Sequence, residues 1–442
     1  MKKKSLYSIY LSAAMLLLGS CKLDYENPNG PVEDQVITTR EGLISLAVGV
    51  KSYYSTSGLQ ALITAPGTTS RELKGITTFT NILELEAGGT ALPTFNGNVN
   101  GLWSSMLRSM GMAERLIKYT PQVISQEVSM QSGLVAFGNL FKAMSIGGLA
   151  TAFEQFPIQT DLEGKSTFVT RIAGLTAAVK LLDDAVAGLA ANPPSTEFNT
   201  RVLGSDLVLL DVINAYRARY NMMLGKYPEA LAAANAVNLN SRSRFLYTNQ
   251  NPNPVQQQVF FSANFKPRAN FGLPAGFVEA GDGRLAFYLS TPDVVVGGET
   301  LKTLKGFFDD IAKSIPIYMP DEVRLLKAEA IIRSGGNLAD AVTQINAVRT
   351  QAAGDLFDVN ANLPPYSGAV TTDALLLEVY KQRSIELFLQ GLRLEDSRRF
   401  GRPAPPTNVN PVPTTFERNR NFYPYPDQER LTNPNTPADP AI

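Results

Sequence analysis

Two stretches of the chain, 111 residues apart, share one pattern, and it restricts the fold more than any other feature. Gly225-Lys226-Tyr227-Pro228-Glu229-Ala230-Leu231 runs on to Asn235-Ala236-Val237. Gly336-Asn337-Leu338-Ala339-Asp340-Ala341-Val342 runs on to Asn346-Ala347-Val348. Glycine, acid, alanine, aliphatic residue and Asn-Ala-Val triplet fall in register. Gly225 or Gly336 ends one helix where a positive φ is needed, and Ala230 or Ala341 lets a second helix approach closely. The unit is a helical hairpin. One hairpin cannot bury its own apolar face, so several must stack.

Helical spacing recurs on either side. From Thr39, apolar residues fall at Leu43, Leu46, Ala47, Val50 and Tyr54; spacing of three and four residues is the mark of an amphipathic helix. Further helices are expected at 102–119, stopping before Pro121, and at 126–153, 168–191, 205–224, 320–334, 338–352 and 372–399. Residues 64–101, rich in Gly, Thr and Asn, lose the spacing. In residues 240–316, Pro252, Pro254, Pro267, Pro274, Pro292 and Pro316 forbid a long helix. The hairpins resemble tetratricopeptide repeats. The expected fold is therefore mainly α: tetratricopeptide-like hairpins forming a scaffold with irregular insertions at about 64–101 and 240–316, in one domain covering 39–442.

The N-terminus reads as an export signal. Lys2, Lys3 and Lys4 precede an apolar stretch from Leu11 to Leu18, which closes on Leu18-Gly19-Ser20-Cys21. A basic start, a short apolar run and small residues at a cleavage site are the parts of a secretory signal, and the run is short of the ~20 residues a spanning helix needs. The ending resembles the lipobox of bacterial lipoproteins. Residues 1–20 are expected to be removed, with lipid on Cys21 and a tether over 21–38 that contains Asn27-Pro28-Asn29-Gly30-Pro31. After Cys21 no apolar run reads as long enough to span a bilayer.

Cys21 is the only cysteine, so no intramolecular disulfide can form and the apolar core must hold the fold. Loss of residues 1–20 would leave 40 acidic and 37 basic residues, which gives nucleic acid no basic stripe to bind. There is no histidine. That removes Ser-His-Asp and Cys-His nucleophile systems and histidine-ligated metal sites, and no cofactor or metal is expected. Enzymes built on carboxylates alone stay open, with Asp309-Asp310 and Asp321-Glu322 as the acids to weigh. Asp321 follows Pro320 directly before an apolar helix, where an acid complements the helix terminus. Gly49-Val50-Lys51-Ser52 lacks the earlier glycine of a phosphate-binding loop, since Ile44 stands there.

The densest charge lies between Tyr380 and Arg402. Arg383, Glu386, Arg393, Glu395, Asp396, Arg398 and Arg399 alternate with Ile385, Leu387, Phe388, Leu389, Leu392 and Leu394. The apolar residues are too many for one stripe, so this helix is expected to be buried on several sides with its charges paired internally. Helical spacing would put Arg383 near Glu386 and Arg393 near Asp396.

Several segments together resemble the SusD/RagB-like lipoproteins of Bacteroidetes-type bacteria. They are Cys21 with Leu23-Asp24 and its tether; Leu102-Trp103 with Arg115-Leu116-Ile117; and Tyr318 through Arg333 with the Ala341–Arg349 stretch. Arg383-Ser384-Ile385-Glu386-Leu387 and Gly391 through Arg399 follow. The tail Tyr423-Pro424-Tyr425-Pro426-Asp427-Gln428-Glu429, leading to Asn433-Pro434-Asn435, completes the series. The resemblance implies a non-catalytic lipoprotein on the outer face of the outer membrane. It would lie over a SusC-like TonB-dependent receptor, capture oligosaccharide or, in some members, peptide, and hand it on. A scaffold lipoprotein with no small ligand, holding another protein on its repeats, is a second reading.

Glycan sites set an aromatic face against sugar C–H groups and polar side chains against hydroxyls, and such residues concentrate in loops on a rigid scaffold. The candidates are Arg71, Phe79, Phe95, Asn96 and Asn98 in the first insertion and Phe261 and Phe265 in the second. Trp103, the only tryptophan, shares a helix with Leu102, Met106 and Met110 and is expected to be buried. A single tryptophan is few for a glycan binder, which keeps peptide ligands in view.

Overall fold

The computed structural model describes residues 37–160 and 164–442, with the side chains of Phe260 and Phe261 also left undescribed. The expected signal segment, Cys21 and all but the last two residues of the expected tether lie outside this range. Helix α1 (Arg40–Tyr53) passes through a π turn, Tyr54–Gly58, into α2 (Leu59–Thr69), and α3 (Thr80–Ala87) is short. Then α4 (Gly97–Val123), α5 (Val128–Ala152), α6 (Arg171–Ala191), α7 (Leu209–Met223) and α8 (Tyr227–Asn235) follow, each packed on the one before. The second insertion carries α9 (Gly283–Tyr288). Beyond it α10 (Pro320–Arg333) returns to pack on α8, and α11 (Leu338–Arg349) and α12 (Thr372–Glu386) both pack on α10. Two short helices, α13 (Arg393–Arg399) and α14 (Asp427–Thr432), close the chain.

Both repeated segments form hairpins. Gly225 ends α7 at φ 73°, and the N–H groups of Gly225 and Lys226 close on the carbonyls of Met222 and Asn221 at 3.1 and 2.9 Å. In the second hairpin the left-handed residue is Gly335, at φ 69°, and not the aligned Gly336. Gly335 and Gly336 donate to Ile332 and Ile331 at 3.2 and 2.9 Å. This turn is one residue longer, which frees Asn337 to cap α11 by accepting from the Ala339 N–H. Ala230 and Ala341 are both buried where the second helix meets the first. Helix α10 is covered on two sides. Val323 and Leu326 join the main core, while Leu325, Ala328 and Ile332 form a separate cluster with Ile345, Val348, Leu375 and Val379.

Four expectations are corrected. Helix α4 runs through Pro121 to Val123, because a proline so near the end removes one backbone bond and Ile124 still donates to Thr120 at 2.9 Å. Helix α5 is long and apolar enough to cross a membrane by length and composition, but 89% of its most apolar window is buried inside the protein. The first insertion is less irregular than its composition suggests. α2 persists to Thr69 because Thr64 through Thr69 are packed inside the protein, with the hydroxyls of Thr64, Thr68 and Ser70 satisfied by carbonyls four residues back. The 372–399 stretch is not one helix. It breaks after Glu386, with Leu389 at φ 55° and Gly391 at φ 73°, and the buried Glu72 carboxylate accepts the Leu389 N–H at 2.9 Å.

The insertions are joined to each other. Strand β1 (Leu73–Gly75), in the first, pairs antiparallel with β5 (Phe265–Pro267), in the second, with Gly75 opposite Phe265. Between them in sequence, β2 (Gln155–Pro157) pairs with β3 (Phe168–Thr170). A hairpin of β6 (Leu289–Val296) and β7 (Glu299–Leu304) rises from the second insertion, whose base is closed by β4 (Arg244–Phe245) on β8 (Ile315–Pro316).

Candidate functional site

An exposed apolar edge forms where the insertions meet. β1 leads outward to Phe79, whose extended backbone precedes α3; its ring is 58% exposed. Leu83, four residues on and so on the same face, is 47% exposed. Phe95, 65% exposed, precedes the first turn of α4.

The backbone under these rings is held from below. The Asn96 side-chain oxygen, Oδ1, accepts from the N–H groups of Asn98 and Val99, capping α4. Its amide donates to the Asn81 carbonyl at 2.8 Å and to Glu84 Oε2 at 3.0 Å. Asn98 donates to the same Asn81 carbonyl at 3.0 Å. The start of α4 is thereby laced to the first turn of α3.

The β6–β7 hairpin joins the frame through charge. Lys74 on β1 pairs with Glu299 on β7. Arg268, which follows β5, donates to Glu299 Oε2 and Glu86 Oε1 at 2.6 Å each. Burial works against the charge on Arg268, but Glu86 and Glu299 outweigh it and hold its pKa above the ordinary value. Val295 near the hairpin tip is 69% exposed.

The structure separates the seven sequence candidates. Phe79 and Phe95 are on the surface, and Asn98 is half-buried beneath them. Arg71 is buried, with its pKa lowered to about 10 by burial. It donates to the carbonyls of Glu86 and Val412 at 3.0 and 2.8 Å, clamping the C-terminal segment against α3. Asn96 is buried as the cap described above, and Phe265 is buried on β5. The Phe261 side chain lies outside the described set. Cys21 lies outside the described residues. Sequence reasoning missed Leu83 and Val295. The spacing of four from Phe79, and the Val294-Val295-Val296 run before Gly297-Gly298, a hairpin signal, could have found them.

Trp103 is 3% exposed. It stacks on Phe168 at 5.7 Å, meets Phe153 edge-on at 4.7 Å and donates from Nε1 to Glu429 Oε2 at 3.1 Å. The acids weighed for chemistry have structural partners. Asp321 and Glu322 are buried in the first turn of α10. Burial lifts Asp321 to about 6 against the pull of Arg324. Glu322 accepts from Arg219 Nε and Nη2 at 2.7 Å each. Asp309 pairs with Lys313, and Asp310 accepts from the Ala312 N–H. In the charged C-terminal segment the partners differ from the helical-spacing expectation. Arg383 pairs with Asp396 and Glu386 with Arg284. The break at 387–392 folds α13 back beside α12.

These features define a class: a stack of helical hairpins whose insertions converge on an exposed apolar edge. Residues 321–439 match the model of the SusD family. A SusD superfamily protein from Bacteroides thetaiotaomicron has a similar fold, with a TM-score of 0.72 at 15% identity over 91% of this chain and 100% of that one. One from Bacteroides fragilis has a TM-score of 0.70 at 13% identity, covering 90% and 99%. A protein from the same species, described as a SusD-like carbohydrate binding protein, has a TM-score of 0.64 at 14% identity, covering 90% and 99%. No curated protein sequence matches the chain. The chain is SusD/RagB-like, in sequence over its C-terminal part and in fold over about nine-tenths of its length.

Proposed function

We propose that the mature protein is an outward-facing lipoprotein of the outer membrane that binds nutrient oligosaccharide at the Phe79–Leu83–Phe95 edge. It delivers the ligand, without turnover, to a SusC-like TonB-dependent receptor. The observation that carries the binding role is the edge itself: two phenylalanine rings more than half exposed on backbone fixed by Asn96 and Asn98. Exposed rings on a rigid frame present an apolar face with little ordering cost on binding. The family match and the carbohydrate-binding description of a structural neighbour support the sugar class.

Calorimetric titration against a panel of oligosaccharides tests this. Phe79→Ala and Phe95→Ala should each weaken binding about tenfold, which corresponds to about 1.4 kcal/mol, with circular dichroism unchanged. Wild-type affinity in both variants would remove the edge from the site. Peptide is the second reading, favoured because the edge is Phe, Leu and Val and the only tryptophan is buried. Saturable binding of peptides alone would select it.

The anchor is tested separately. Lipid on Cys21 with two or more acyl chains holds a protein stably on a membrane, so Cys21→Ala should move the protein from the membrane fraction to the soluble one. Continued fractionation with the membrane would overturn the anchor.

A further inference from the structure

Arg284, on α9, is fully buried between two carboxyl groups, those of Asp282 and Glu386, which are themselves fully buried. It does not serve them equally. Asp282 Oδ1 and Oδ2 accept from Arg284 Nε and Nη2 at 2.9 and 2.7 Å, and Oδ1 also accepts the Arg284 main-chain N–H. Glu386 receives one bond, from Nη1 to Oε2 at 3.2 Å, which is long beside the about 2.7–2.9 Å of a charged pair. Glu386 Oε1 is buried with no donor. The Tyr288 hydroxyl beside it donates to the Glu386 main-chain carbonyl at 2.8 Å.

The buried charge at this point is unequal. Asp321, at the start of α10, is 3% exposed and repels Glu386. Its partner Arg324 reaches in from the surface. Three buried carboxyl groups thus face two arginines. Half-buried Asp355, which takes the N–H groups of Phe357 and Val359, adds a further acid. The nearby cations are engaged elsewhere. On α12, Arg383 pairs with Asp396, and Lys381 with Glu279 and Glu378. Arg393 faces Glu72, Lys327 faces Arg324, and exposed Arg242 faces Asp206.

A water could donate to Oε1 but would leave the negative excess. A proton on Glu386 removes it, and a buried carboxyl whose charge is not compensated neutralises in this way. Burial first, and repulsion from Asp321 second, push the Glu386 carboxyl well above its ordinary value, against the pull of Arg284.

We infer that Glu386 is a neutral carboxylic acid in the native protein at pH 7, and that its proton latches α9 to α10 and α12. Helix α9 runs directly into β6, so the latch holds the root of the hairpin beside the exposed edge. A raised carboxyl stabilises fully below its unfolded pKa of about 4.3, and that contribution is lost as pH rises through the folded value. One proton taken up on folding multiplies the unfolding constant by about ten per pH unit.

Urea unfolding of the mature protein and of Glu386→Gln at pH 5 and pH 7 tests the latch. Asp321 titrates in both proteins, so the ratio of their unfolding constants, wild type over variant, reports Glu386. It should rise at least tenfold from pH 5 to pH 7. Infrared spectra of the native wild type at pH 7 should show the carbonyl band of a protonated carboxyl, missing from the variant. A constant or falling ratio would overturn the inference, and so would a wild type without that band. Glutamine mimics the neutral acid, so a variant unable to fold at pH 7 would overturn it as well.

Discussion

Asp396→Ala is expected to destabilise the protein by about 3–5 kcal/mol, the usual cost of removing one partner from a buried ion pair. Asp396 accepts from Arg383 at 2.8 and 3.2 Å and also from Arg399. Its side chain is only 4% exposed. Arg399 would keep Glu329, but Arg383 has no other carboxylate partner among the described residues. The variant therefore strands a guanidinium in the core. Burial pushes the Asp396 carboxyl up, but Arg383 and Arg399 outweigh it and hold the pKa below its ordinary value. A depressed carboxyl contributes stability above the unfolded pKa of about 3.9, and that contribution is lost as pH falls through the lower folded value. Urea unfolding should show the full difference between wild type and variant at pH 7 and a shrinking one below about pH 4. A difference under about 1 kcal/mol at pH 7 would mean that other contacts hold the helix break.

Gly272→Ala is the second large effect, about 3 kcal/mol or more, because two penalties add. Gly272 sits at φ 69°, where an L side chain is disfavoured by about 1–2 kcal/mol. An added Cβ would also stand 1.8 Å from the Arg71 carbonyl oxygen, which is backbone and cannot rotate away. That oxygen accepts from Arg268 Nη1 at 3.2 Å, and Arg268 also donates to the Leu73 carbonyl. Forcing Gly272 and Arg71 apart therefore loosens the Arg268 clamp that joins β1, β5 and β7 under Phe79. Thermal unfolding should show the loss of stability. Hydrogen exchange should show faster exchange at Ile76, whose N–H donates to the Asn264 carbonyl across the same junction. Wild-type Tm and unchanged exchange would show that the backbone yields without cost.

The edge was only partly legible in the sequence. Both insertions were located from composition and proline content, and Phe79 and Phe95 were among the candidates. Nothing local separates them from Arg71 and Phe265. Arg71 turns inward because carbonyls of Glu86 and Val412 wait for it. Phe265 is buried because β5 pairs with β1 from nearly two hundred residues earlier.

The sequence by itself determined the stacked helices and their hairpin turns. Apolar spacing of three and four residues, a turn glycine and a close-packing alanine act within a few residues of one another, so a linear reading captures them. Only the tertiary structure decided which glycine of Gly335-Gly336 takes the left-handed turn, where the C-terminal helix breaks, and which arginine meets which carboxylate. Those outcomes depend on groups far apart in sequence, such as Glu72 accepting the Leu389 N–H. A buried polar group takes the partner that the fold brings to it, whatever its nearest neighbours in sequence offer.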